Sequence, residues 1–181
     1  MAAVNTRGRD ALLLKLAQAL ADHPRASMEQ LATMSGVSRA TLFRHFPSRD
    51  DMMAALSEAG ILRAEEAVAR AHLHDGCVEH ALQRLIDELL PIAELYAHVD
   101  AAMRTDEALQ ERIEPLHTTL TDAFRYWQAA GALRVDMSAV WLVESLSALL
   151  RSTATMIRAG RLARHDAAQS IFALLWQGMA K

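Results

Sequence analysis

Apolar residues recur at helical intervals along almost the whole chain, and no stretch shows the strict alternation of a half-buried strand. Leu12, Leu13, Leu16 and Leu20 share one face of a helix over residues 10–21, which ends before His23-Pro24. Ser27 opens a second helix with Gln30 three residues on, a capping box in which each side chain satisfies the other residue's free backbone N–H. That helix runs to about Met34 and stops at Ser35-Gly36, since glycine enters the left-handed turn conformation cheaply. Ser38 caps a third, short helix ending near His45. Pro47 follows, and Ser48 with Asp51 caps a long fourth helix that reaches about His72.

The second half of the chain repeats the helical spacing in longer segments. A break at His74-Asp75-Gly76 leads to a helix over 78–98 that contains Pro91 as an expected kink. A short piece near Ala101 precedes a helix over 107–130, disturbed at Pro115 and stopped by Gly131. Two amphipathic helices, 138–159 and 165–179, are separated at Gly160. The pattern therefore predicts an all-α fold of about nine helices. Residues 1–50 form a three-helix head, the fourth helix (48–72) is a connector, and 51–181 form a helical body.

Composition agrees with this reading. Hydrophobic residues make up 52% of the 181, enough for a substantial core, and only 7 Gly and 4 Pro interrupt them. A single cysteine, Cys77, excludes an internal disulfide framework and suits a reducing compartment. No basic-then-apolar leader opens the chain, and the most apolar stretch, 137–157, is broken by Glu144 and Arg151. A soluble, cytoplasmic protein without a membrane partner is expected.

Charge changes the picture more. The net charge is only −3, but residues 1–50 carry seven Lys/Arg against four acids, a local +3 that leaves −6 for the rest. Phosphate attraction acts over about one Debye length, roughly 10 Å, so a basic head on an acidic body counts for more than the mean. A nucleic-acid partner belongs at the head.

The informative stretch is 27–49, SMEQLATMSGVSRATLFRHFPSR. Two short helices joined by a tight Gly-containing turn make the DNA-binding helix-turn-helix. Ala32 is small enough for the helices to cross closely, and Leu31, Val37 and Leu42 supply a shared core. Ser38, Arg39, Ala40, Thr41, Phe43, Arg44 and His45 remain around the outside of the third helix. Arg39 and Arg44 can donate to guanine edges or phosphate, Ser38 and Thr41 to phosphate oxygens, and Ala40 can touch a thymine methyl. Ser27 caps a helix whose free N–H groups suit the DNA backbone, and Arg49 is expected as an outer phosphate clamp. The plain alternative is an ordinary helical corner with solvated arginines.

The run GVSRATLFRHFPSR resembles the signature of the TetR family of transcriptional regulators, in which G-V-S, a T-L-aromatic, an H-F pair and a basic residue opening the next helix occur together. Ala129 to Arg134, with Asp136 following, is similar to the end of the family's seventh helix. The specific resemblance spans about Arg9 to Leu56; beyond that it is one of architecture. Two positions depart from the pattern. Phe43 stands where the family usually has a tyrosine that reaches a phosphate, a bond worth about 1.5–3 kcal/mol at a charged acceptor. The link over 22–26 is also shorter than the family's usual turn.

The resemblance implies a homodimer that binds palindromic operator DNA as a repressor and is released by a small-molecule effector. Its interface would come from the last two helices, where Val140, Val143, Leu146, Leu150 and Ile157 form one apolar stripe and Ile171, Leu174 and Leu175 another, with Thr153 and Met179 continuing them. The alternative, that the stripes face the monomer's own core, fits half of them. Candidate effector-pocket residues are Tyr96, Met103, His117, Phe124, Trp127 and Trp141, a lining suited to a hydrophobic or aromatic molecule. No resident cofactor is expected. His72, His74, Asp75, Cys77 and His80 lie close together, but their spacing matches no standard metal motif and no metal is assigned. No nucleophile elbow, phosphate loop or His-Glu-x-x-His marks an enzyme. An effector-free helical adaptor with the same fold remains the alternative, and activation at some promoters stays open.

Overall fold

The computed structural model describes residues 2–103 and 107–180, with side chains described for 8–96 and 107–180. Among these residues are eight helices: α1 (Ala2–Asp22), α2 (Met28–Met34), α3 (Arg39–His45), α4 (Arg49–Arg70), α5 (Val78–Met103), α6 (Glu107–Ala129), α7 (Ala139–Arg158) and α8 (Arg164–Met179). The short piece expected near Ala101 is continuous with α5, which runs through Pro91 to Met103. For that reason Ala129 to Arg134, expected at the end of a seventh helix, closes α6. Helix α6 likewise continues through Pro115.

The chain divides into two compact units. The first contains Met1–Leu62 and Leu95–Gln110, the second Arg63–Glu94 and Glu111–Lys181. In the first unit α1 packs on α2 and α2 on α3. Leu12, Leu13, Leu16 and Leu20 are buried as their spacing predicts, together with Leu31, Leu42, Phe46, Met52 and Leu56. Helix α4 approaches Tyr96 of α5 so closely that a Cβ on Gly60 would meet the ring at 3.1 Å, so only glycine fits there without displacement.

The second unit is built around one apolar cluster that includes Leu82, Leu85, Ile86, Phe124, Trp127, Leu142, Leu146 and Ile171. Two devices hold its chain ends. Arg84 donates to the carbonyls of Ala71, His72 and Asp75 at 2.8–2.9 Å, tying down the chain just beyond α4, while His72 takes the left-handed conformation at φ +48°. The Trp127 indole N–H donates to the Leu73 carbonyl at 3.0 Å. At the far end, the Arg134 N–H donates to the Met179 carbonyl at 2.9 Å, and the Arg134 side chain bridges Asp136 and Gly178.

Candidate nucleic-acid interface

Local chemistry positions the helix-turn-helix. The Ser27 N–H donates to Gln30 Oε1 at 2.8 Å and the Gln30 N–H to Ser27 Oγ at 3.3 Å, the reciprocal box anticipated from the spacing. Helix α2 ends at Ser35, and Gly36 turns the chain at φ +70°. The Val37 N–H reaches back to the Ala32 carbonyl at 3.0 Å, so the turn satisfies the helix end it terminates. Ser38 Oγ then accepts from the Thr41 N–H at 3.1 Å and donates to Thr41 Oγ1 at 2.9 Å. That leaves the Thr41 hydroxyl proton to donate outward. Leu31, Ala32 and Leu42 are buried, as the shared core requires.

The outer side of α3 carries the residues expected to meet DNA. Ser38, Arg39, Ala40 and Arg44 are exposed, while Thr41, Phe43 and His45 are half-buried at its margins. Ser27 is also exposed. Arg49 is placed differently from the phosphate clamp anticipated for it. Its guanidinium donates to the carbonyls of Ala26 at 2.7 Å and Pro24 at 3.3 Å. It thereby braces the short 22–26 link between α1 and α2, two orphan carbonyls that no helix satisfies. Ser48 and Asp51 cap α4 reciprocally, through Ser48 N–H to Asp51 Oδ2 and Asp51 N–H to Ser48 Oγ, both 3.0 Å. Sequence reasoning missed two contacts made on this face by Arg39. Glu29 of α2 is ion-paired with Arg39, and the Arg39 guanidinium carbon lies 5.4 Å from the centre of the Phe43 ring.

The effector candidates are dispersed. Tyr96 is buried in the first unit, and the side chain of Met103 lies outside the described residues. Phe124 and Trp127 are fully buried in the core of the second unit with ring centres 4.8 Å apart. His117 Nδ1 lies 3.7 Å from Glu144 Oε1, and Trp141 is exposed. The second unit does contain an open cleft of about 520 Å³, whose lining includes the apolar Val68, Leu73 and Leu116 and the polar Glu65, His72 and Asp75. Arg112 grips the Glu65 carboxylate through both oxygens and, chiefly by these hydrogen bonds, holds its pKa below the usual carboxylate value. His72 pairs with Asp75 at 3.7 Å and His74 meets Tyr126 edge-on at 5.1 Å. Among the described residues, no three His, Cys, Asp or Glu side chains come together to hold an ion.

The two apolar stripes of the last helices divide by burial. Val143, Leu146, Leu150, Thr153, Ile171, Leu175 and Met179 belong to the unit's own core, and Ile157 packs at its margin. Val140 (52% exposed) and Leu174 (62%) face outward, joined by Trp141 (62%) and Met156. No helix of the described residues is long and apolar enough to cross a membrane.

A capped helix-turn-helix with a basic, exposed second helix, carried by an otherwise all-helical chain, defines a DNA-binding transcriptional regulator. Residues 23–56 match the family model described as "Bacterial regulatory proteins, tetR family". The chain is 29% identical over 171 residues to the HTH-type transcriptional regulator NfxB of Pseudomonas aeruginosa, covering 92% of this chain and 91% of that one. It is 31% identical over 105 residues to the HTH-type transcriptional repressor LfrR of Mycolicibacterium smegmatis, covering 57% of this chain and 56% of LfrR. The crystal structure of LfrR in complex with proflavine superposes with a TM-score of 0.83 at 25% identity, covering 97% of each chain. The chain is thus similar to the TetR family of bacterial regulatory proteins, whose DNA-binding region its residues 23–56 match.

Proposed function

We propose that the protein is a cytoplasmic, non-enzymatic repressor that binds a palindromic operator as a homodimer and is released by a small-molecule effector. The observation that carries this reading is the outward face of α3, where Arg39, Ala40 and Arg44 are exposed on a helix fixed at both ends. A two-fold dimer places two such helices roughly 34–36 Å apart, one turn of DNA. The outward apolar residues Val140, Trp141, Met156 and Leu174 support self-association through α7 and α8.

Helix α4 begins in the first unit and ends in the second, so it is the continuous element through which a ligand of the body would act on the head. The effector must bind the non-operator conformation better than the operator-bound one. A small molecule with an apolar or aromatic body suits the cleft at Val68, Leu73 and Leu116, and the proflavine complex of LfrR supports a ligand of that kind. Repression is supported by LfrR, which is a repressor.

The test is selection of binding sites from random duplex DNA by the purified protein, followed by titration at several salt concentrations. Palindromic sites and a steep salt dependence are expected, with binding abolished in Arg44→Ala. Absent or salt-insensitive binding would favour an adaptor that uses the same fold for protein contacts.

A further inference from the structure

The geometry points to Glu29 and Phe43 as positioning residues that hold Arg39 ready to read one guanine of the operator, a refinement that rests on the DNA-binding reading above. Arg39 is the first residue of α3, where a helix in the major groove meets base edges. A long, solvent-exposed arginine normally loses much rotamer freedom when it docks, which weakens and blurs a base contact. Here two neighbours restrict it beforehand. Glu29 of α2 takes Nη1 at 2.5 Å, and the Phe43 ring, one helical turn along α3, lies under the guanidinium at 5.4 Å.

The choice of nitrogen matters. With Nη1 on the carboxylate, the Nε and Nη2 edge still presents two parallel N–H groups, the fork that matches O6 and N7 of guanine. A phosphate can accept the same fork, so the discriminating feature is the neighbouring carboxylate, which repels a phosphate. Glu29 therefore disfavours a backbone role for Arg39 and favours a base role. The same contact gives Phe43 a task that needs no hydroxyl. Its ring serves the arginine face, where a tyrosine at this position would also reach toward phosphate.

The experiment measures the dissociation constants of the selected operator and its single-base variants, with each protein's thermal midpoint checked alongside. One guanine per half-site that the wild-type protein prefers should lose its preference in Arg39→Ala. Glu29→Gln should lower discrimination at that base by about three- to tenfold while leaving the other positions and the salt slope unchanged. Phe43→Leu should do the same, and Phe43→Tyr, which keeps the ring, should retain the discrimination. Glu29→Gln binding every variant more tightly by one factor, with the ratios intact, overturns the inference and makes Glu29 a mere countercharge. So does a salt slope that falls by about one in Arg39→Ala, the mark of a phosphate contact. A wild-type protein that selects no sequence at all overturns the DNA-binding reading itself, and is told apart by its failure before any variant is compared.

Discussion

The outer faces of α3 and of α7 with α8 are both exposed, yet they are opposites. On α3 the exposed groups are arginines and hydroxyls tied by polar bonds, from Ser38 to Thr41 at the helix start and from Arg39 across to Glu29 of α2. Such a face is content in water and gives up its solvation only to a partner with many acceptors. On α7 and α8 the exposed groups are Val140, Trp141, Met156 and Leu174, which form no polar bonds through their side chains and gain by being covered, at about 25 cal/mol per Å² of apolar surface. One surface suits a polyanion and the other an apolar partner. The contrast shows that a sequence stripe is not yet a surface: five of the eight interface candidates are consumed by the monomer's own core, and burial alone separates them from Val140 and Leu174.

The largest effect tests whether the second unit holds its own core independently of any partner. Trp127→Ala removes a fully buried ring and leaves the Leu73 carbonyl without its donor, so it should cost about 3–5 kcal/mol. Urea unfolding followed by circular dichroism reads the loss, and a shift below 1 kcal/mol would mean the site collapses around the cavity.

Next comes the outward face. Leu174→Glu should weaken self-association by at least about a hundredfold, near 2.7 kcal/mol, in sedimentation equilibrium. Leu175→Ala, one residue away but buried, should instead lower stability by about 2–5 kcal/mol while dimerisation persists. If the two variants behave alike, burial does not separate interface from core.

Arg49 sharpens the comparison from the head. Arg49→Ala loses both linker carbonyls and should cost about 1–2 kcal/mol of stability. Its salt slope on DNA should match the wild type. A slope lower by about one would instead make Arg49 the phosphate clamp that its sequence position suggests.

The smallest effect concerns Glu65. Its carboxyl is held below the ordinary range by the two hydrogen bonds from Arg112, so the pair contributes stability above the usual carboxylate pKa. That contribution is lost as pH falls through the lowered folded value. Because both side chains are about one-third exposed, Glu65→Gln should cost no more than about 1 kcal/mol at neutral pH. The gap to wild type should close in urea midpoints measured toward pH 3.

The head was legible because its signals are local. Ser27 and Gln30, Ser35 and Gly36, and Ser38 with Thr41 each act within three residues, so spacing was enough to place the helices and turn. The body offered no such signals. Phe124, Trp127 and Trp141 read alike as aromatic positions on amphipathic helices, yet two are sealed in the core and one is in solvent. Glu65, Val68 and Pro115 line the cleft from α4 and α6, nearly fifty residues apart, and nothing in the spacing joins them.

The sequence by itself determined the all-α class, the helix-turn-helix with its caps and glycine turn, the basic head and the resemblance to the TetR family, because each depends on neighbours along the chain or on composition. Tertiary structure alone decided where the long side chains went. Arg49 turned to the Pro24 and Ala26 carbonyls, Arg84 gathered three carbonyls beyond α4, and Glu29 took hold of Arg39. An arginine presents the same five donors wherever it lies in a sequence. Which acceptors it satisfies is settled only when folding brings unpaired carbonyls and carboxylates within reach, and that is a property of the packed chain.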